Sequence, residues 1–174
     1  MTIDTSDLLN SILGSLSRID YIKPEEVPNI PLYMDQVTTF MDEQLAACKR
    51  YENDKILTKT MINNYAKNKL LPPPDKKRYS RDHMLILLFI YYYKSILQLN
   101  DIEAILRPLK EKYFDGQGDA KLKDIYDEIF DLEPAVKAKT LRDVSEMGVN
   151  AQETFQESDP RFQQLSDEDR KELQ

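Results

Sequence analysis

The run Met84-Leu85-Ile86-Leu87-Leu88-Phe89-Ile90-Tyr91-Tyr92-Tyr93 constrains this chain more than any other segment. A helix built from it is hydrophobic nearly all round, so it is either enclosed by other elements or shared with a second subunit. Its ten residues are about half of the ~20 needed to cross a bilayer, which points to a soluble fold rather than a membrane span. Ser80 is placed to cap this helix, which is predicted over Arg81 to about Gln98. Consecutive tyrosines face different directions, which suits core and interface packing better than a platform for stacking bases. His83 has no His, Cys or acidic set at ligand spacing and reads as a solvated first-turn residue.

A chain of 174 residues, 41% of them hydrophobic, buries one core with length to spare for arms. Only Gly14, Gly116, Gly118 and Gly148 are available for the tight turns of a sandwich or a doubly wound sheet, so the expected class is mainly α. The lone Cys48, inside a predicted helix, supports neither a disulfide framework nor a multi-cysteine metal site and points to a reducing compartment. The start Met-Thr-Ile-Asp-Thr-Ser-Asp lacks the basic and apolar regions of a signal peptide, so a cytoplasmic location is expected.

Helical spacing organises the rest. Leu9, Ile12, Leu13 and Leu16 predict a short amphipathic helix from Ser6 to Ile19, and Pro24, Pro28 and Pro31 mark a connector after it. Met34, Val37, Met41, Leu45 and Cys48 predict a helix from Tyr33 to about Arg50. After a polar break at residues 51–55, Thr58 sits at an N-cap position, with Leu57 and Ile62 placed as a hydrophobic staple. The helix from Lys59 to Asn68 buries Met61, Ile62, Tyr65 and Ala66 and shows Lys59, Thr60, Asn63, Asn64 and Lys67 on its other side.

That exposed side is where chemistry first enters. Lysines neutralise phosphates, and an Asn amide offers a donor and an acceptor to the edge of an adenine, so the mixture suits a DNA major groove as well as an ordinary solvated face. Net charge is −7, but it is unevenly placed. Between Lys49 and Arg81 there are ten basic and three acidic residues, a local +7, against 14 basic and 28 acidic residues elsewhere. Local charge decides where a polyanion docks. Within this window, Leu70-Leu71-Pro72-Pro73-Pro74 holds the chain extended and strips it of backbone donors, and Lys76, Lys77 and Arg78 follow. The segment reads as a short wing that sets three cations against phosphates, or as a plain linker. An Asn100-Asp101-Ile102-Glu103 capping box predicts a further helix that Pro108 kinks or ends.

The order Thr60-Met61-Ile62-Asn63-Asn64-Tyr65, Lys69-Leu70-Leu71-Pro72, Lys77-Arg78-Tyr79-Ser80 and Leu99 to Leu106 resembles the N-terminal domain of MerR-type regulators. More closely, Leu57 to Leu106 is similar to a bacterial family known only as domain of unknown function 1836. The resemblance covers Pro31 to about Leu109. It implies a winged helix-turn-helix module with a recognition helix, a basic wing and two closing helices. Departures from the MerR pattern are Asn63 where an arginine is usual, Lys77 followed by Arg78 at the wing arginine, and Asn68-Lys69 in place of a glycine, with Asn68 expected to take the left-handed conformation. The link between the first two helices is also longer.

The predicted organisation is an N-terminal helix and linker (1–31), the winged module (32–109), C-terminal helices (110–150) and a polar acidic tail (151–174) expected to be disordered or transiently helical. Residues 115–119 read as a loop. Leu122, Ile125, Tyr126, Ile129 and Phe130 form an amphipathic stripe, and Pro134 opens a helix through Val136, Leu141, Val144 and Met147. The MerR resemblance implies dimerisation through such a helix, with docking against the central helix as the alternative. No phosphate-binding glycine loop, His/Cys nucleophile pair or His-based metal spacing is present, so neither an enzyme nor a cofactor or metal is expected. The expectation is a homodimeric, sequence-specific regulator of transcription. It would read double-stranded DNA with Lys59, Thr60, Asn63, Asn64 and Lys67 and grip phosphates with Lys76, Lys77 and Arg78. The competing expectation is a protein-interaction adaptor that keeps the winged fold without binding DNA.

Overall fold

A computed structural model describes residues 5–18, 21–49, 53–154 and 159–173. In chain order its elements are α1 (Thr5–Arg18), β1 (Leu32–Tyr33), α2 (Met34–Gln44), α3 (Lys59–Lys67), β2 (Arg78–Tyr79), α4 (Arg81–Tyr93), α5 (Leu99–Tyr113), α6 (Leu122–Phe130), α7 (Glu133–Gln152) and α8 (Asp167–Leu173). The architecture is mainly helical. No described helix is long and apolar enough to cross a membrane. The chain divides into two compact units, residues 21–131 and residues 1–20 with 132–174.

In the first of these, α4 is the axis. Every residue from His83 to Ile90 is buried, because α5, α6 and β2 pack around a helix that has no polar face of its own. Burying a Leu, Ile or Phe side chain is worth about 1.5–3 kcal/mol, so this one helix supplies much of the unit's driving force. The tyrosines at its end serve the core. Tyr92 Oη accepts the Ile22 N–H at 3.0 Å and Tyr126 Oη donates to the Ile22 carbonyl at 2.9 Å, so the peptide groups of Ile22 are held from α4 and from α6. Phe89, Tyr126 and Phe130 pack with ring centroids 4.6 to 5.6 Å apart.

Several boundaries differ from the sequence reading. Tyr33 does not begin α2; its backbone is extended, pairs with Arg78 in the antiparallel β1–β2 ladder, and donates its N–H to Gln36 Oε1 at 2.8 Å. α2 stops at Gln44, and a tight turn of 3-10 type over Ala46–Cys48 takes the place of its expected last turns. α4 ends at Tyr93 rather than near Gln98. There the Lys94 amine donates to the Ile56 carbonyl at 2.8 Å and lies over the Tyr91 ring, which turns the chain without glycine or proline. α5 starts one residue before Asn100, with Gln98 at the cap, and Glu103 is taken by Arg107 instead of closing a capping box. Pro108 neither ends α5 nor its packing, since Leu106 is buried before it and Lys110 is anchored after it. His83, expected in solvent, is only 3% exposed.

The other unit holds α1 against α7, with Leu9 filling the space beside Gly148. No described side chain of either helix is fully buried. Pro134 lies in the first turn of α7, as the sequence predicts. Within the described part of the tail, Ser166 and Asp169 cap α8 reciprocally, with Asp169 N–H donating to Ser166 Oγ at 3.1 Å. Of the sequence expectations, Ile19 and Arg50 lie outside the described residues.

Candidate nucleic-acid interface

α3 is short, and its ends are fixed by chemistry visible in the sequence. Thr58 Oγ1 accepts the Met61 N–H at 3.2 Å, and the staple residues Leu57 and Ile62 are both buried. At the other end, Leu70 N–H donates to the Tyr65 carbonyl at 2.9 Å and Lys69 N–H to the Ala66 carbonyl at 3.2 Å. This pair of bonds is a Schellman motif. The left-handed residue is Lys69 (φ 60°), while Asn68 stays at φ −90°, so the expected place of the strained residue shifts by one. The amine of Lys110 secures the motif from α5, donating to the Lys69 carbonyl at 2.6 Å and to that of Leu70 at 3.3 Å.

With Ile62 and Tyr65 buried and Met61 and Ala66 half-buried, the opposite face of α3 presents Lys59, Thr60, Asn63, Asn64 and Lys67, all exposed. Lys59 is not a free cation, because its amine pairs with Asp35 on α2. The pair is exposed and worth at most about 1 kcal/mol, so an incoming phosphate competes with it readily.

After the three prolines, the chain makes a two-residue hairpin turn. Arg78 N–H donates to the Asp75 carbonyl at 2.8 Å, and both central residues have positive φ, Lys76 at 46° and Lys77 at 65°. This is the type I′ combination, whose twist matches the flanking strands and which normally selects Asn-Gly. Here it carries two exposed lysines, with exposed Arg78 following in β2. β2 pairs with β1 in the register Leu32 with Tyr79, and α2 packs against both β2 and α3. One helix thus supports the two cationic elements that the sequence singled out.

The +7 window resolves into spent and available charge. Lys49 is paired with Asp42 at 2.8 Å, Lys59 with Asp35, and the Arg81 guanidinium donates to the Pro24 carbonyl, while Arg50 and Glu52 lie outside the described residues. Lys55, Lys67, Lys69, Lys76, Lys77 and Arg78 remain exposed. Lys69 joins the candidate set; a helix stop at Lys67 is the signal that would have exposed it. An open groove of about 1050 Å³ runs beside the end of α3, lined by Asn68, Leu71, Pro72, Leu99 and Glu103 among others. Its rim mixes Lys69, Arg107 and Lys110 with Glu103 and Glu111, so it presents no uniform potential.

The unit 21–131 also coincides with a family match. The family described as a domain of unknown function, DUF1836, matches residues 22–129. The chain belongs to the DUF1836 family. The DUF1836 domain therefore extends past the 32–109 module read from sequence, taking in Ile22 at one end and α6 at the other. Tyr126 of α6 donates to the Ile22 carbonyl, so the two ends of the matched span meet in the structure. Among curated proteins and among solved structures, no match was found.

Proposed function

We propose that this DUF1836 protein is a sequence-specific DNA-binding regulator of transcription built on a MerR-like winged helix-turn-helix. α3 enters the major groove, and the turn Asp75–Arg78 lies against the phosphate backbone. The observation that carries this reading is the turn itself. Two lysines in left-handed conformation are a poor choice for folding, and strain of this kind clusters where function requires it. Asn63 and Asn64 supply the base-reading groups, and Lys67, Lys69, Lys76, Lys77 and Arg78 the phosphate contacts.

The regulator acts as a homodimer through the unit of α1 and α7. A helix pair in which no described side chain is fully buried gains little on its own, and Val136 and Met147 on α7 are 60% and 68% exposed. The two-fold arrangement would match a palindromic site with half-sites about one or more helical turns apart.

A selection from random duplexes at low salt, followed by mobility shift, tests the reading. Enrichment of one sequence is expected, with binding that weakens steeply as salt rises. Absence of binding at low salt, or binding indifferent to Lys77→Ala with Arg78→Ala, would refute it. The second reading, an adaptor on the same fold, is favoured by one number: residues 21–131 hold 17 basic and 18 acidic residues, a net charge of −1. Protein capture without duplex binding would support the adaptor.

A further inference from the structure

His83 is the only histidine in the chain, and it is buried at the base of the basic turn. Its Nδ1 lies 3.0 Å from the Ser80 backbone nitrogen, which can only donate, so Nδ1 is an acceptor and the neutral ring carries its proton on Nε2. Nε2 then donates to the Pro73 carbonyl at 3.3 Å. The same ring meets Tyr79 edge-on at 5.5 Å and Phe114 at 4.7 Å. Pro73 enters the turn and Tyr79-Ser80 leaves it, so one side chain ties both legs together and fastens them to α4.

We propose that the imidazole of His83 is a positioning residue for the cationic turn Asp75–Arg78, and that protonating it releases the turn. Protonation places a hydrogen on Nδ1, which the Ser80 hydroxyl, 2.8 Å away, can accept but the Ser80 N–H cannot, so the ring exchanges its bond to the backbone for one to the side chain and that backbone leg of the clamp is released. Charged groups are near on every side. Arg81 and Asp82 belong to the same helix, and Asp115 comes from the segment after α5, accepting a bond from Ser80 Oγ at 3.2 Å and donating its own N–H to Asp82 at 2.8 Å. The two carboxylates favour the imidazolium, but burial outweighs them and holds the ring below its ordinary value of 6.5. A depressed value in the folded protein means that the clamp is complete above about pH 6.5 and is lost as pH falls through the lower folded value.

The clamp stands on the free protein's geometry; only its consequence, that acid weakens the grip on phosphates, rests on the DNA-binding reading. Nuclear magnetic resonance tests it without DNA. Because the chain has one histidine, its ring nitrogens need no assignment by mutation. The expected result is the Nε2–H tautomer at neutral pH and a titration below 6.5. In the same step the amides of Arg78 and Ser80 lose protection from exchange, while those of Leu87 and Phe89 keep theirs. His83→Gln retains an acceptor for the Ser80 N–H but removes the ring, so its turn amides should exchange faster at neutral pH and no longer respond to acid. Titration at or above 6.5, turn amides that ignore it, or loss of protection in α4 in the same step would each overturn the proposal. Failure here leaves duplex binding to be judged by its own experiment. If both hold, wild-type binding becomes less salt-sensitive in acid, and His83→Gln shows the weaker salt dependence at every pH.

Discussion

Lys76→Asn combined with Lys77→Gly places the preferred type I′ pair at the tip of the hairpin. A left-handed L-residue costs roughly 1–2 kcal/mol, so the two lysines together hold about 2–4 kcal/mol of strain. Asparagine recovers part of its share. Glycine recovers all of its share but returns about 0.5–1 kcal/mol as entropy to the unfolded chain. The double variant should therefore be more stable by about 1–2 kcal/mol, or about 2–8 °C in Tm for a chain of this size. The same change removes two cations, and each neutralised phosphate contributes about 0.9 to the slope of log affinity against log salt. That slope should become shallower by about 1.8. Calorimetry and binding titrations over a salt series read the two effects separately, and Lys76→Gln with Lys77→Gln, which keeps the strain and removes the charge, should weaken binding without raising Tm. A double variant no more stable than wild type refutes the strain, and an unchanged salt slope refutes the phosphate contact.

Other outcomes follow from single contacts. Lys69→Gly should stabilise the protein by up to about 1 kcal/mol, because glycine suits the left-handed end of α3; a lowered thermal midpoint would contradict this. A side chain at Gly118 would stand 2.4 Å from the backbone carbonyl of Lys112, so Gly118→Ala should cost about 1–3 kcal/mol in urea unfolding. Tyr126→Phe strips the buried Ile22 carbonyl of its donor and should cost about 1–2 kcal/mol, whereas no loss would mean that the carbonyl finds another partner. Burial pushes the Tyr92 phenol up from 10.0 to about 12. Its contribution is therefore intact below pH 10 and disappears as pH rises through about 12, so Tyr92→Phe should flatten the alkaline decline in urea midpoints.

What the sequence made legible was local. Thr58 with Leu57 and Ile62 announced the start of α3, and the exposed face followed from the spacing of Ile62 and Tyr65. The three prolines and the Lys-Lys-Arg cluster marked an irregular excursion, a short wing or a plain linker, and nothing in two lysines suggests the type I′ turn that is found. What stayed hidden depends on partners distant in the chain. The Lys94 bond to Ile56 sets the end of α4, and Asp35 neutralises Lys59 from a different helix. His83 reads as solvated until Pro73, Tyr79 and Phe114 close around it. The stripe on α6 fits docking against α4 and dimerisation equally well by pattern alone; the rings of Tyr126 and Phe130 on Phe89 are what place it against α4.

The way α3 is held has a consequence for the family as a whole. Its position is set by a cap at Thr58, two buried side chains and backbone bonds secured by Lys110, and none of these involves Thr60, Asn63, Asn64 or Lys67. The side chains at those four positions contribute nothing to these anchors, so under the proposed function a duplicated copy would acquire a new preference through a few substitutions while its scaffold stays intact. Variation concentrated at these four sites among relatives, over an unchanging Ile62 and Tyr65, would be the imprint of diverging targets.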